Sequence, residues 1–288
     1  MARSATKAEA ALTEAFAAAG LDWVVPDWPA PSHVRAFSTT RHGGNGTSFD
    51  LGSSNDRLDR ASSELLRWLP SEPIWLTQVH GARVHVVEGT QHSATARNRP
   101  SFDAAAAAAS DAGAEDPDAP RHATRDSAPQ ADAIVTRMPN VVCAVRSADC
   151  LPVLFCDGVG SVVAAAHAGW RGLSAGVLEA TVAAMRVHPA ELMAWMGPAI
   201  GPTRFEVGTD VVTAFGAARA AEADAFVPLG GGKWHANLYA LARSRLHSAG
   251  VTAVYGGGAC TYDDAQRYYS YRRARDVGRM ASLVWRTP

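Results

Sequence analysis

A chain of 288 residues with 47% apolar content can bury a sizeable core, as one large domain or two small ones. Its 27 Lys+Arg against 28 Asp+Glu leave a formal charge of -1, which argues against a generic DNA-binding or anionic-membrane surface. With 19% charged and 8% aromatic residues, the chain as a whole is not disordered.

The opening segment, MARSATKAEAALTEAFAAAG, is alanine-rich but broken by Lys7, Glu9 and Glu14. It reads as a short amphipathic helix and lacks the continuous apolar core of a signal peptide. No run approaches the ~20 apolar residues needed to cross a bilayer. Cys143, Cys150, Cys156 and Cys260 form a poor disulfide framework for this length. The expected setting is therefore a reducing cytoplasm, with thiols free to act as ligands or nucleophiles.

Pro26, Pro29 and Pro31 punctuate a turn-rich entry, after which HVRAFSTTRHGGNGTSFDLG gives a strand and a turn at Gly43-Gly44. Residues 74 to 88 read as two short strands around a bend at His80-Gly81. From about 90 to 130 the composition shifts to Ala, Ser, Asp, Pro and Arg, with six consecutive alanines at 104 to 109. That stretch is expected to be a low-complexity surface insertion, its residues 101 to 128 mobile and dispensable. Beyond it, VVCAVR, LPVLFCD and SVVAAA are apolar runs of strand length, and LSAGVLEATVAAM is a helical stretch. MAWMGPAIG and VYGGGACTY read as strands ending in glycine. DVVTAFGAARAAEADAF and NLYALARSRLHSAG read as helices, the second stopped by Gly250. The fold expected is a single α/β domain with a mixed sheet and no internal repeat.

Chemistry is expected where apolar strands end in a polar residue beside glycine or proline, because such ends form sheet-edge clefts. His80 in TQVHG, Cys150 in SADCLPV and His167 in AAAHAGWRG meet that condition. Two imidazoles and a thiolate suit zinc, and three protein ligands leave a fourth tetrahedral position for water or substrate. Their spacing is long and irregular, so each also fits a satisfied core position. Cys143 and Cys156 lie inside apolar runs and read as small hydrophobes.

HAGWRG also joins a strand to a helix start, and Arg171 adds a fork-shaped cation there, a reasonable anion or phosphate site. Equally, Gly169 and Gly172 serve a tight turn while Trp170 packs on the core. Arg41 sits in a second cationic turn. In SYRRARDVGRM the arginines around Asp276 read as a solvated face, with Arg272 the one best placed to reach a pocket.

TQVHG, ADCLPVLFCD, AHAGWRG, GPAIGPTRFEVG and CTYDDAQRYYSYRRARDVGRM stand in an order that resembles the YfiH/DUF152 family. Its members are labelled polyphenol oxidase or laccase-domain proteins, purine nucleoside phosphorylases, or peptidoglycan editing factors. The resemblance runs from about residue 33 to the C-terminus, outside the 90–130 insertion. It implies a layered α/β/β/α fold similar to a bacterial cytotoxic-factor catalytic domain. It also implies a metal, usually described as zinc, on His80, Cys150 and His167. The implied activity is phosphorolysis of adenosine, inosine and methylthioadenosine, with adenosine deamination as a second reaction. Thr203, Arg204 and Phe205 stand where the family often has two cysteines and a tyrosine, and Asn237 where it often has Asp.

The leading expectation is thus a zinc-dependent purine nucleoside enzyme, with purine nucleoside and phosphate as partners. Arg171 and Arg41 are candidates to hold phosphate, and Asp149 to carry a proton or to cap backbone N–H groups. A cysteine amidase editing a peptidoglycan precursor, with Cys150 as nucleophile and His80 or His167 as base, is the alternative. A copper polyphenol oxidase is disfavoured, because no two of the ten histidines are separated by one residue. A non-enzymatic structural zinc module would normally close with a fourth protein ligand, and none is apparent.

Overall fold

The computed structural model describes residues 7–44, 47–51, 55–89, 128–216, 220–275 and 278–288. Most of the expected surface insertion, residues 90–127, lies outside them. Helix α1 (Lys7–Ala18) and strand β1 (Val34–Ser38) precede α2 (Asn55–Leu66), β2 (Pro73–Ile74) and β3 (Val84–Val87). There follow β4 (Ala133–Thr136), β5 (Val142–Ser147), β6 (Leu151–Asp157) and β7 (Val163–Ala168). Helices α3 (Trp170–Ala175) and α4 (Val177–Met185) lead to β8 (Leu192–Met196) and β9 (Glu206–Gly208). The chain continues through α5 (Thr209–Phe215), α6 (Ala220–Ala223), β10 (Phe226–Gly230) and β11 (Lys233–Ala236). It closes with α7 (Leu238–Ser248), β12 (Ala253–Gly256) and β13 (Met280–Arg286).

Strand β6 has every side chain buried, as its continuous apolar run requires of a strand covered on both faces. It lies inside a six-stranded mixed sheet of order β12-β8-β6-β7-β4-β3, where β12 is parallel to β8 and β3 to β4. A second sheet has the order β1-β13-β5-β2, and a small antiparallel sheet the order β10-β11-β9.

Period-2 alternation sorts the strand residues into layers. Val153, Phe155, Ala164 and Ala166 face α3, α4 and α7, packing with Leu173, Leu178, Val182 and Leu241. The alternate residues Leu154, Cys156, Val163 and Ala165 face the four-stranded sheet and meet Val34, Cys143, Val145 and Val284. The outer face of that sheet, through Phe37, Ala144 and Leu283, packs on Phe16 of α1 and Leu65 of α2. The layers are α/β/β/α, as expected. Cys143 and Cys156 are fully buried, and burial pushes both thiols well above their ordinary range.

Differences from the sequence reading have local causes. Gly176, in the left-handed region at φ +89°, divides the expected single helix into α3 and α4. Gly216 ends α5 early, in a segment read as one helix. Strand β13 and the small sheet were not read from the sequence, because arginines crowd the approach to β13 and Pro228 interrupts β10. Asn237 caps α7 by accepting from the Ala240 N–H at 3.1 Å, and Asp would cap it equally well. Phe155→Ala should lower unfolding stability by about 3–5 kcal/mol through the cavity left between sheet and helices, read from the denaturant midpoint.

Candidate metal centre

Cross-strand register brings two of the three candidate ligands together. Pairing of β6 with β7 sets Leu151 opposite Ala168 and Pro152 opposite His167, so Cys150 arrives beside the end of β7. His80 comes from the bend between β2 and β3. The ligand atoms of His80, Cys150 and His167 all lie within 4.8 Å of one another. The two imidazoles meet edge to face, with centroids 4.9 Å apart. Small side-chain adjustments would bring the three donors onto one ion with bonds of ~2.0–2.3 Å. His167 is buried, whereas His80 and Cys150 retain access to solvent.

A residue that sequence reasoning missed organises the group. The fully buried carboxylate of Asp132 accepts from His167 Nδ1 at 3.0 Å. That bond holds the ring so that Nε2 is the atom left to ligate, an arrangement typical of metal-binding histidines. The same carboxylate accepts from the backbone N–H groups of His80 at 2.9 Å and Gly81 at 2.7 Å. His80 adopts φ +58°, an uncommon conformation for a non-glycine residue, and those bonds keep it there. Burial opposes the Asp132 charge, but the hydrogen bonds and charge of His167, with the two N–H donors, hold its carboxyl below the ordinary carboxylate range. Gln78 adds a second clamp on the bend: its amide donates to the Arg146 carbonyl at 2.9 Å and accepts from the Arg146 N–H at 2.8 Å.

Burial likewise opposes a thiolate at Cys150, yet the adjacent His167 and His80 outweigh it and bring the thiol down to about 6. Gly169 makes room for the sulfur, since a Cβ there would stand 2.7 Å from Cys150 Sγ. Gly172 lets α3 approach the bend, where a Cβ would stand 3.0 Å from the Gly81 carbonyl oxygen.

The other candidates are placed differently. Asp149, at φ +93°, accepts from Thr261 Oγ1 and from the Arg272 N–H, both at 2.6 Å. It ties the C-terminal segment to the residue preceding Cys150. Arg272 also donates to the Glu206 carbonyl at 2.9 Å, and Arg273 donates to the carbonyls of Thr261, Tyr262 and Tyr268. These two arginines clamp backbone carbonyls, where a solvated face was expected; Asp276 lies outside the described residues. Arg41 donates to the Ala265 carbonyl at 2.7 Å and rests on the Tyr269 ring. Arg171 is exposed, with its guanidinium 4.3 Å from the Trp170 ring centroid.

The Asp132 contact predicts a graded loss. Asp132→Asn should leave the chain folded and weaken zinc affinity by roughly 10- to 100-fold, measured by competition with a chromophoric chelator. Unchanged affinity would show that Asp132 does not support the ligand set.

Residues 35–287 match the family model described as multi-copper polyphenol oxidoreductase laccase. Purine nucleoside phosphorylase PA4543 of Pseudomonas aeruginosa is 47% identical over 272 residues, covering 91% of this chain and 98% of that one. Purine nucleoside phosphorylase YfiH of Escherichia coli is 41% identical over the same length and shares. Among solved structures, protein NMB0706 of Neisseria meningitidis, family model DUF152, aligns with TM-score 0.76 at 40% identity, covering 93% of this chain and all of that one. YlmD of Geobacillus stearothermophilus, 24% identical, shares the fold with TM-score 0.75 across 92% of this chain and 96% of its own. The register that joins Cys150 to His167 and the bend that presents His80 are thus carried by a chain that belongs to the YfiH/DUF152 family of laccase-domain proteins.

Proposed function

We propose that this protein is a cytoplasmic, zinc-dependent purine nucleoside phosphorylase acting on adenosine, inosine and methylthioadenosine, with adenosine deamination as a second reaction. The observation that carries this reading is the 47% identity, over nearly the whole chain, to a protein named purine nucleoside phosphorylase. The donor set of one thiolate and two imidazoles, one of them backed by a buried carboxylate, fits zinc. When bound, zinc supplies Lewis acidity and lowers the pKa of a coordinated water to about 7.

The chain's own residues then divide the work. His167 and Cys150 are held by the sheet, and His80 by the Asp132-anchored bend. Phosphorolysis forms a bond from a phosphate oxygen to the anomeric carbon while the glycosidic C–N bond breaks, so phosphate must be aligned with the ribose. Arg171 is suited to hold that phosphate. It is exposed, next to the glycine that packs on the His80–Gly81 bend, and without a carboxylate partner among the described residues. Arg41 would first have to give up the Ala265 carbonyl. Both oxygens of Asp149 already accept hydrogen bonds, which favours the capping role over the proton carrier.

The lowered Cys150 thiol beside His167 favours a second reading, a cysteine amidase with Cys150 as nucleophile. Copper oxidase chemistry has less support: among the described residues, His80, Cys150 and His167 are the one group of three or more His, Cys, Asp or Glu arranged to hold a metal.

Metal analysis with an assay for phosphate-dependent base release decides between the first two. We expect about one zinc per chain, largely lost in Cys150→Ala and in His80→Ala because removing one of three ligands opens the site. Active wild-type protein purified without chelator yet free of metal would favour the amidase. Arg171→Ala should lower phosphorolysis roughly 10- to 150-fold, the loss of a charge-assisted hydrogen bond of ~1.5–3 kcal/mol, and leave deamination nearly unchanged. An equal fall in both activities, with a lower melting temperature, would make Arg171 a structural residue.

A further inference from the structure

Asp149 and Cys150 lie in the turn between β5 and β6, and Asp149 stands at φ +93°, a region sparsely populated by residues with a side chain. Such a conformation persists only where its surroundings impose it. Here the Asp149 carbonyl accepts from the Ile200 N–H at 2.9 Å. Its buried carboxylate accepts from Thr261 Oγ1 and from the Arg272 N–H, both at 2.6 Å.

Those two donors stand at opposite ends of one loop. Between Gly256, the end of β12, and Met280, the start of β13, the described residues form no helix or strand. Within that stretch the chain leaves the Asp149 carboxylate at Thr261 and returns to it at Arg272, a compact loop whose ends meet. Arg273 reinforces the closure by donating to the carbonyls of Thr261, Tyr262 and Tyr268. The middle of the loop holds the Arg41 turn: the Arg41 N–H donates to the Arg267 carbonyl at 2.8 Å, and its guanidinium to the Ala265 carbonyl at 2.7 Å. On the other side of Asp149, Cys150 has little latitude. Its sulfur lies so near Gly169 that a Cβ there would stand 2.7 Å away, and its place beside His80 and His167 depends on the backbone direction that Asp149 sets.

We infer that Asp149 is a positioning residue that couples metal binding at Cys150 to closure of the 261–272 loop. The inference rests on the metal-binding part of the proposed function. An ion that draws Cys150 toward the two imidazoles fixes the turn, and so favours the carboxylate position that closes the loop. The closed loop in turn holds Cys150 where the ion needs it. Coupling of this kind is reciprocal, so each event strengthens the other by the same factor.

Hydrogen exchange of peptides spanning 261–272, read by mass spectrometry with and without zinc, tests one direction. Zinc affinity, measured by chelator competition, tests the other. Zinc is expected to slow exchange of the loop by roughly fivefold or more in wild-type protein. The effect should be largely lost in Asp149→Gly, which keeps the left-handed turn without either acceptor oxygen. Thr261→Val, which removes one donor to Asp149, is expected to weaken zinc by roughly fivefold or more, although residue 261 is not a ligand. Tyr269→Phe, which removes the loop's bond to Ser48 and leaves Asp149 alone, should bind zinc as wild type does. Zinc that binds wild-type protein without changing loop exchange would overturn the coupling. So would wild-type zinc affinity in Thr261→Val, or an equal loss in Tyr269→Phe. Wild-type protein that takes up no zinc would overturn the metal reading and the coupling together. If Asp149→Gly fails to fold, wild-type exchange and Thr261→Val decide by the same criteria.

Discussion

Asp132 lies where no water can solvate its carboxylate, so both oxygens must be satisfied by the protein. The partners that satisfy them are the imidazole of His167 and the N–H groups of the bend that carries His80. One buried charge therefore orients one candidate ligand and holds the backbone of another in a left-handed conformation it would otherwise leave. Cys150 is the third member, fixed by β6 pairing on β7 and by the space Gly169 leaves for its sulfur. Without Asp132 the sheet would still form, but the three donors would no longer be held in register.

The layered fold explains why such a centre is possible at this place. Two sheets meet face to face over a dry seam, and the candidate site stands at one end of it, where β5, β6, β7 and β8 begin or finish. Strand ends supply polar side chains and unpaired backbone, while the seam behind them keeps the buried histidine away from water. The C-terminal segment is drawn to the same end by Asp149, whose carboxylate accepts from Thr261 and Arg272. Residues more than a hundred positions apart thus converge without a compact motif.

The sequence made part of this legible. The apolar runs that became β5, β6 and β7 were long enough to read as buried strands; Cys150 and His167 stood out as polar residues at the ends of two of them, and His80 at a bend beside Gly81. Asp132 did not stand out, because it follows the composition-biased stretch and opens a short strand of four residues. A charged residue at the head of an apolar strand was the available signal. The small β9–β11 sheet was hidden by Pro228 and by three consecutive glycines at 230–232. The arginines near the C-terminus were read as solvent-facing because their partners are carbonyl groups, which composition cannot show.

The central claim is that His80, Cys150 and His167 hold one metal ion, and X-ray absorption at the zinc edge of the purified protein tests it most directly. The predicted result is a first shell of one sulfur at ~2.3 Å and two nitrogens at ~2.0–2.1 Å, with a lighter fourth ligand. A shell without sulfur, or one with several sulfurs, would contradict it.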